Sequence, residues 1–389
     1  MQGRVVTERV TLMGGVDWHR RLFDALIPLP EGTSYNAYLV KGSEKTALLD
    51  TADPATTDEL LQQLEAEQRI DYIVAHHAEQ DHSGTLPELL VRYPEATVLA
   101  TEKGKGMLVD LLHLPPERVE AVADGEQRSL GDRTLTFIHA PWVHWPETML
   151  TYLDEERILF TCDFFGSHYA TSRVMVGDDA HVVSAAKRYY AEIMMPFRKP
   201  IERHLARLED LDIAMIAPSH GPIWDRPDVI IEAYRDWVSG AVKNVAVIPF
   251  ISMHGSTSEL VDRLVTELVR HGVTVRPFDL TVTDIGDLAM AMVDAATIVI
   301  GSPTVLGGAH PQAAYAASLA NALRPKTRFA SVVGSYGWAA GSARALVEAM
   351  PALRVEVLDP VLVRGRPRAD DLEAVDRLAA TIAQRHGAL

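Results

Sequence analysis

Apolar and polar positions follow two different textures along this chain, and the change falls near residue 240. Before it, short apolar runs are separated by irregular polar stretches. Residues 34–50 predict two short strands joined at Lys41–Glu44, and Thr57–Gln68 carries the spacing of a helix. Ile70–Ala75 is a compact apolar strand that runs into a polar, histidine-rich stretch. Ala96–Ala100, Leu135–His139, Met149–Leu153 and Ile158–Thr161 predict further strands, and Asp228–Val238 a helix. Short strands interrupted by helices predict a layered α/β domain. After residue 240, strand and helix alternate regularly. Predicted strands at Val245–Phe250, Thr274–Phe278, Thr297–Gly301, Arg328–Gly334 and Arg354–Leu358 precede helices at Ser256–His271, Asp284–Asp294, Gln312–Leu323, Ser342–Met350 and Asp370–Arg385. Five such units in ~150 residues predict a doubly wound parallel sheet. The expected domains are 1–242 and 243–389.

Composition narrows the function classes. Of 389 residues, 47% are hydrophobic and 23% charged, which excludes wholesale disorder, collagen and coiled coil. Lys and Arg number 37 against 53 Asp and Glu, a net charge of −16 that argues against nucleic acid or an anionic membrane as partner. The single cysteine, Cys162, excludes an internal disulfide, a thiolate zinc or iron–sulfur site and a C-x-x-C dithiol. Any metal must be held by histidine and carboxylate, and 15 histidines are available. The N-terminal residues show no leader pattern, and no apolar run reaches the ~18–20 residues of a membrane span. The expectation is a cytoplasmic protein.

The predicted strand at Ile70–Ala75 runs into His76-His77-Ala78-Glu79-Gln80-Asp81-His82. Four groups able to bind metal (His77, Glu79, Asp81 and His82) fall within six residues, where a loop can turn them toward one point. Imidazole with carboxylate suits iron, manganese or zinc. Three distant residues share the same kind of setting. His144 lies in Trp142-Val143-His144-Trp145-Pro146, Asp163 follows a strand, and His220 lies in Pro218-Ser219-His220-Gly221-Pro222. Each sits at the end of an apolar stretch, where a buried polar group needs a partner.

This pattern resembles the metallo-β-lactamase fold in its flavodiiron form. Counted from His82, the separations of 62, 19 and 57 positions match that family's order. Zinc hydrolases of the fold have His where Glu79 stands. The anionic ligand gives three carboxylates with four imidazoles, a set that favours ferric iron over a zinc hydroxide. The resemblance implies that His77, Glu79 and His144 bind one iron, that Asp81, His82 and His220 bind the other, and that Asp163 bridges them. It extends to Gly32-Thr33-Ser34-Tyr35-Asn36 and His144-Trp145-Pro146-Glu147. His76 is expected to point away from the metals as an outer-layer or surface residue, His19 to lie at the surface, and Cys162 to be a small buried residue. His168 is expected either behind a ligand or in the core. Some relatives carry a further histidine near Arg21-Leu22-Phe23-Asp24, where this chain has Asp24.

The second half carries its own constellation. Ser252-Met253-His254-Gly255-Ser256-Thr257 lies between a strand and a helix and can hold an anion with backbone N–H and hydroxyl groups. Neither G-x-x-x-x-G-K nor G-x-G-x-x-G is present in it. Gly301-Ser302-Pro303-Thr304 and Gly334-Ser335-Tyr336-Gly337-Trp338 follow two more strands, at the ends where doubly wound sheets bind ligands. This half resembles the flavodoxin-like domain of the same family. The resemblance implies that Ser252, Met253, His254, Gly255, Ser256 and Thr257 hold the phosphate of FMN. Pro303, Thr304, Ser335, Tyr336, Gly337 and Trp338 would frame its ring. Relatives often have an Asn pair where Leu306 and Gly307 stand, so the flavin potential is expected to differ.

The fold class implied is α/β: an αβ/βα metallo-β-lactamase-like sandwich followed by a flavodoxin-like sheet. The activity implied is reduction of O2 to water, of NO to N2O, or both, at two non-haem irons supplied through FMN. The alternatives are a zinc hydrolase fused to a flavodoxin-like domain, and an electron carrier with a structural metal. One cysteine leaves no place for a rubredoxin site, so the donor is external: rubredoxin, a flavin reductase or reduced F420. The family's head-to-tail homodimer, alone or as a dimer of dimers, is expected, with Trp145 near the flavin.

Overall fold

A computed structural model describes residues 2–389. The chain forms two compact units. One runs to Tyr189 and includes Phe197–Val238; the other comprises Tyr190–Pro196 and Ser239–Leu389. Among the described residues no helix is long and apolar enough to cross a membrane.

The first unit is built on two sheets. One orders its strands Arg4–Val5, Val10–Asp17, Thr33–Lys41, Thr46–Leu49, Tyr72–Val74, Thr97–Ala100 and Val119–Ala121. Pairing is antiparallel as far as Thr46–Leu49 and parallel beyond it. The other sheet places Gln127–Ser129, Thr134–His139, Met149–Leu153 and Ile158–Cys162 antiparallel, with Met215–Pro218 parallel at its edge. Tyr38, Val40, Leu49, Val74 and Leu99 from the first sheet meet Leu135, Phe137, Met149, Ile158 and Phe160 from the second in one core. The opposite face of the first sheet, with Tyr35, Leu39, Leu48, Ile73 and Val98, packs on Leu60, Leu64, Leu86, Leu89 and Leu108 of its covering helices. Side chains alternate between two buried faces, so these strands read as continuous apolar runs.

The second unit is a parallel sheet. Its spatial order is Thr274–Asp279, Lys243–Phe250, Ala295–Gly301, Phe329–Tyr336, then Glu356–Val357 and Val361–Arg364 end to end along the same edge. The order 2-1-3-4-5 is that of flavodoxin-like sheets. Helices Ser256–Arg270, Ile285–Met292, Pro311–Leu323, Ser342–Glu348 and Ala369–His386 cover it.

Two elements differ from the sequence expectation. The fifth strand is not the continuous Arg354–Leu358: only Glu356–Val357 pairs, and Val361–Arg364 completes it after Pro360. Proline lacks the N–H that a continuous ladder needs. The helix expected to reach Gln68 ends at Gln63, where Glu65 and Glu67 donate three residues back to Gln62 and Leu64. Such bonds tighten and terminate a helix.

Candidate metal and flavin sites

The ligand-bearing segments gather along one edge of the sandwich. Tyr72–Val74 leads into His76 and His77, and Gln80–Ser83 is a single helical turn carrying Asp81 and His82. Ile158–Cys162 ends one residue before Asp163, and Met215–Pro218 two residues before His220. His144 precedes Met149–Leu153, which runs antiparallel to Ile158–Cys162 and so begins where that strand ends. Asn36 anchors the His220 segment by donating to the Pro218 and Gly221 carbonyls at 2.9 and 2.7 Å. Tyr38 donates to the same Pro218 oxygen at 2.7 Å.

These segments bring all seven expected metal ligands together. His77, Glu79, His144 and Asp163 place ligand atoms within 4.8 Å of one another, and so do Asp81, His82 and His220. Asp163 faces both groups. Its Oδ2 lies 3.3 Å from His144 Nε2 and 3.7 Å from His77 Nε2. Its Oδ1 lies 2.9 Å from His82 Nε2 and 3.3 Å from His220 Nε2. Glu79 Oε2 stands 3.0 and 3.2 Å from His77 and His144, while Asp81 Oδ2 stands 3.3 and 3.2 Å from His82 and His220. Both Asp163 oxygens, Asp81 Oδ1 and both ring nitrogens of His82 are buried without a hydrogen-bond partner. His82 Nε2 and Asp163 Oδ1 are therefore close but not aligned as donor and acceptor. Lone pairs that converge without bonding one another fit a pair of metal ions, because buried polar atoms are rarely left orphaned. Nitrogen and carboxylate oxygen donors suit iron, manganese or zinc.

Electrostatics follow from this crowding. Burial pushes the Asp163 carboxyl upward, but the surrounding imidazoles, His82 foremost, outweigh it and hold the group well below the carboxylate range. Burial would lower the His144 imidazole, yet Asp163 and Glu79 beside it raise it to about 9. His220, likewise opposed by burial, is raised by Asp163 and Asp81 to about 10.

Outside the ligands, His77 Nδ1 bonds the Glu147 carboxylate at 2.7 Å, and His220 Nδ1 donates to the Ser34 carbonyl at 2.7 Å. His76 is not at the surface. It is 1% exposed, with Nδ1 2.9 Å from Asp50 and Nε2 2.7 Å from Thr151, facing away from the metal groups. His168 packs beside His220 and Tyr189 and bonds Thr33 Oγ1 at 2.9 Å. His19 is exposed and Cys162 buried. Trp145 lies edge-on to His77. Asp24 turns a small hairpin of Leu22–Phe23 and Ile27–Pro28, and partial burial with the charges of Glu79 and Asp81 raises its pKa. Glu147, Ser34 and Asp50 carry roles that the sequence did not assign. Glu147, three positions after His144, and Ser34, in Gly32-Thr33-Ser34-Tyr35-Asn36, lay in segments that the resemblance had picked out, while Asp50 had no such signal.

The three loops expected to hold the flavin lie at the carboxyl ends of adjacent parallel strands. Gly255 starts the first helix of the unit with φ +84° and no side-chain cap, leaving N–H groups open to an anion. Thr257 and Ser335, from separate loops, meet with hydroxyl oxygens 3.1 Å apart. Ser252 Oγ accepts from Ser258 N at 3.2 Å, and Thr304 donates to Ser342 Oγ at 3.1 Å. Pro303 follows the buried Ser302, whose hydroxyl donates to its carbonyl. Met253 and Trp338 are 52% and 86% exposed, and a Cβ at Gly255 or Gly337 would meet open space. Tyr336 ends its strand, and His254 lies in the first loop. Leu306 and Gly307 form the tip of a hairpin between Thr304–Val305 and Gly308–Ala309, with φ of +51° and +84°. Leu306 offers no side-chain hydrogen bond. Hydroxyls, open N–H groups and an exposed indole fit a phosphate and a flat ring.

Comparison with known proteins agrees with this architecture. A family model described as "ODP family beta lactamase" matches residues 33–221. The chain is 36% identical to a nitric oxide reductase of Moorella thermoacetica over 392 aligned positions, covering 98% of each chain. The rubredoxin oxygen:oxidoreductase of Desulfovibrio gigas superposes with a TM-score of 0.96 at 29% identity, covering 100% of this chain and 99% of that one. A flavodiiron protein of Giardia intestinalis gives 0.92 at 27% identity, covering 100% and 97%. Full-length similarity of this extent, on a sandwich joined to a flavodoxin-like sheet, means that the chain belongs to the flavodiiron proteins.

Proposed function

We propose that this protein is an oxidoreductase that reduces O2 to water, NO to N2O, or both, at a non-haem diiron centre with electrons passed through FMN. The observation that carries the reading is the Asp163 carboxylate, whose two oxygens are divided between two groups of ligands. His77, Glu79 and His144 would hold one iron, Asp81, His82 and His220 the other, and Asp163 both. FMN would lie against Ser252–Thr257, Pro303, Thr304 and Ser335–Trp338.

When bound, the iron pair supplies a reducible two-metal site for a small oxidant, and FMN supplies two-electron storage. The chain's part is placement and charge. Glu147 and the Ser34 carbonyl take up the Nδ1 positions of His77 and His220, so that each presents Nε2 to the centre. Glu79, where zinc hydrolases of the fold have His, adds the negative charge that favours ferric iron. Burial of Asp81, His82, Asp163 and His220 keeps bulk water from the ligand atoms.

The donor is external: rubredoxin, a flavin reductase or reduced F420. The active form is a head-to-tail homodimer, alone or paired, in a cytoplasmic protein. Exposed apolar side chains support that assembly. Met253, Leu306 and Trp338 border the flavin loops, and Trp18, Leu22, Leu26 and Trp142 lie on the first unit.

Purified protein tests the reading. It is expected to carry two irons and one FMN per chain and, after anaerobic reduction, to consume O2 or NO supplied in separate pulses. Stoichiometric zinc with ester or lactam hydrolysis would overturn it, as would flavin reduction with no gas consumed.

A further inference from the structure

The metal-facing imidazoles are not backed alike. His77 Nδ1 meets Glu147 Oε1 at 2.7 Å, and the Ala78 amide donates to the same oxygen at 3.0 Å. Glu147 is 3% exposed, and its Oε2 has no partner, so its charge is directed largely at His77. Behind His220 stands only a neutral carbonyl, that of Ser34. Behind His82 there is no acceptor: its Nδ1 is buried and unpartnered. Asp50 and Cys162 lie close, with ligand atoms of the three residues within 4.8 Å. Asp50 is already committed, accepting from the His76 amide at 2.9 Å, His76 Nδ1 at 2.9 Å and Ser219 Oγ at 2.8 Å.

A carboxylate behind an imidazole fixes its orientation and makes it a stronger donor, while an imidazole with no acceptor is held by packing alone. The first position therefore has two anionic groups of its own, Glu79 as ligand and Glu147 behind His77. The second has one, Asp81, and its His82 has no acceptor; at the first, His144 is partly exposed and is held through Nε2 beside Glu79 and Asp163.

On the diiron reading above, we infer that the two metal positions are unequal. The iron at His77, Glu79 and His144 is retained and the iron at Asp81, His82 and His220 leaves first, with Glu147 as the positioning residue that sets the difference.

Graded anaerobic chelation of the holoprotein tests this, with iron content and Mössbauer spectra as readouts. Wild type is expected to lose one iron per chain at low chelator and to keep a single spectral component until higher concentrations. Glu147→Gln keeps the shape and the Oε1 acceptor but removes the charge. It is expected to weaken the retained iron by about 10–100-fold, so that the two steps converge, with the easier step unchanged. Both components fading together in wild type would overturn the inference, and so would a tight step untouched in a folded, FMN-bearing Glu147→Gln protein. If that variant fails to fold, Asp81→Asn, which removes the anionic ligand of the other position, is expected to weaken only the easier step, and a weakened tight step there would overturn the inference. A protein that takes up zinc and refuses iron would instead overturn the diiron reading.

Discussion

Glu79 shows how far one side chain sets the charge of a site, and the imidazoles around it show the cost of leaving that charge unmet. With His144 raised to about 9 and His220 to about 10, the metal-free protein holds protons where metal needs lone pairs. Iron uptake is therefore expected to release protons and to tighten as pH climbs toward those values. Indicator-dye titration checks this, and an affinity indifferent to pH on the alkaline side of neutrality would count against it. The same groups stabilise the metal-free fold below their unfolded value of 6.5, and that stability drains as pH rises through 9 and 10. His386 works in the opposite direction. It is buried between Thr297 Oγ1 and Asn244 Oδ1, each 2.7 Å away, and burial lowers its pKa. Its contribution is full above 6.5 and lost as pH falls through the depressed value. The hydrogen-exchange protection factor of the Ala369–His386 helix, corrected for the intrinsic pH dependence of exchange, is expected to fall on acidification, and His386→Phe to remove that dependence. The candidate metal ligands were legible because they follow apolar strands as a dense cluster or as isolated polar residues. Glu147 was visible as a residue but not as a partner, since it lies 70 positions from His77.

At the scale of elements, the Val10–Asp17 strand shows a feature that periodicity does not reveal. Gly14 adopts φ +96° there, and a Cβ would stand 1.9 Å from the Tyr35 carbonyl oxygen. Gln63, the last residue of the Thr57–Gln63 helix, stands in for a neighbouring strand. Its Oε1 accepts from Gly14 N at 2.7 Å and its Nε2 donates to Gly14 O at 2.8 Å. Gln63→Ala is expected to lower unfolding stability by about 1–3 kcal/mol, since it strands two part-buried backbone groups. Gly14→Ala should cost more, because backbone would have to move; chemical denaturation ranks the two. The regular second half was readable because strands and helices alternate there at even spacing. Val361–Arg364 was missed because Pro360 masks the start of its run. The helix Arg198–Leu208 was missed because only Ile201, Leu205 and Leu208 of its apolar face are buried, amid charged neighbours.

For the whole molecule, the proposed head-to-tail homodimer would set the flavin of one chain beside the irons of another. Leu306, 96% exposed at a turn tip, is placed to be covered in such an assembly. Leu306→Glu is expected to shift the protein toward monomer in sedimentation and to slow oxidant consumption, with iron content unchanged. A variant that stays dimeric with wild-type turnover would remove the support that this residue lends. The net charge of −16 adds that an acidic donor must find a locally basic surface to dock. Association with a rubredoxin should therefore weaken as salt rises.

The sequence by itself determined the order of the two halves, the seven residues that the structure brings together as candidate ligands, and the three loops at the strand ends. Each of these is local: a polar group or glycine-rich turn follows an apolar strand, and the spacing of strands along the chain is preserved on folding. Tertiary structure alone decided what stands behind the ligands. It turned His76 into the core with Asp50, and set Glu147 behind His77 and Ser34 behind His220. It left His82 without an acceptor. Those outcomes depend on how two sheets pack, because a hydrogen bond between residues 70 or 186 positions apart is settled by a distance of under 3 Å that no local pattern encodes.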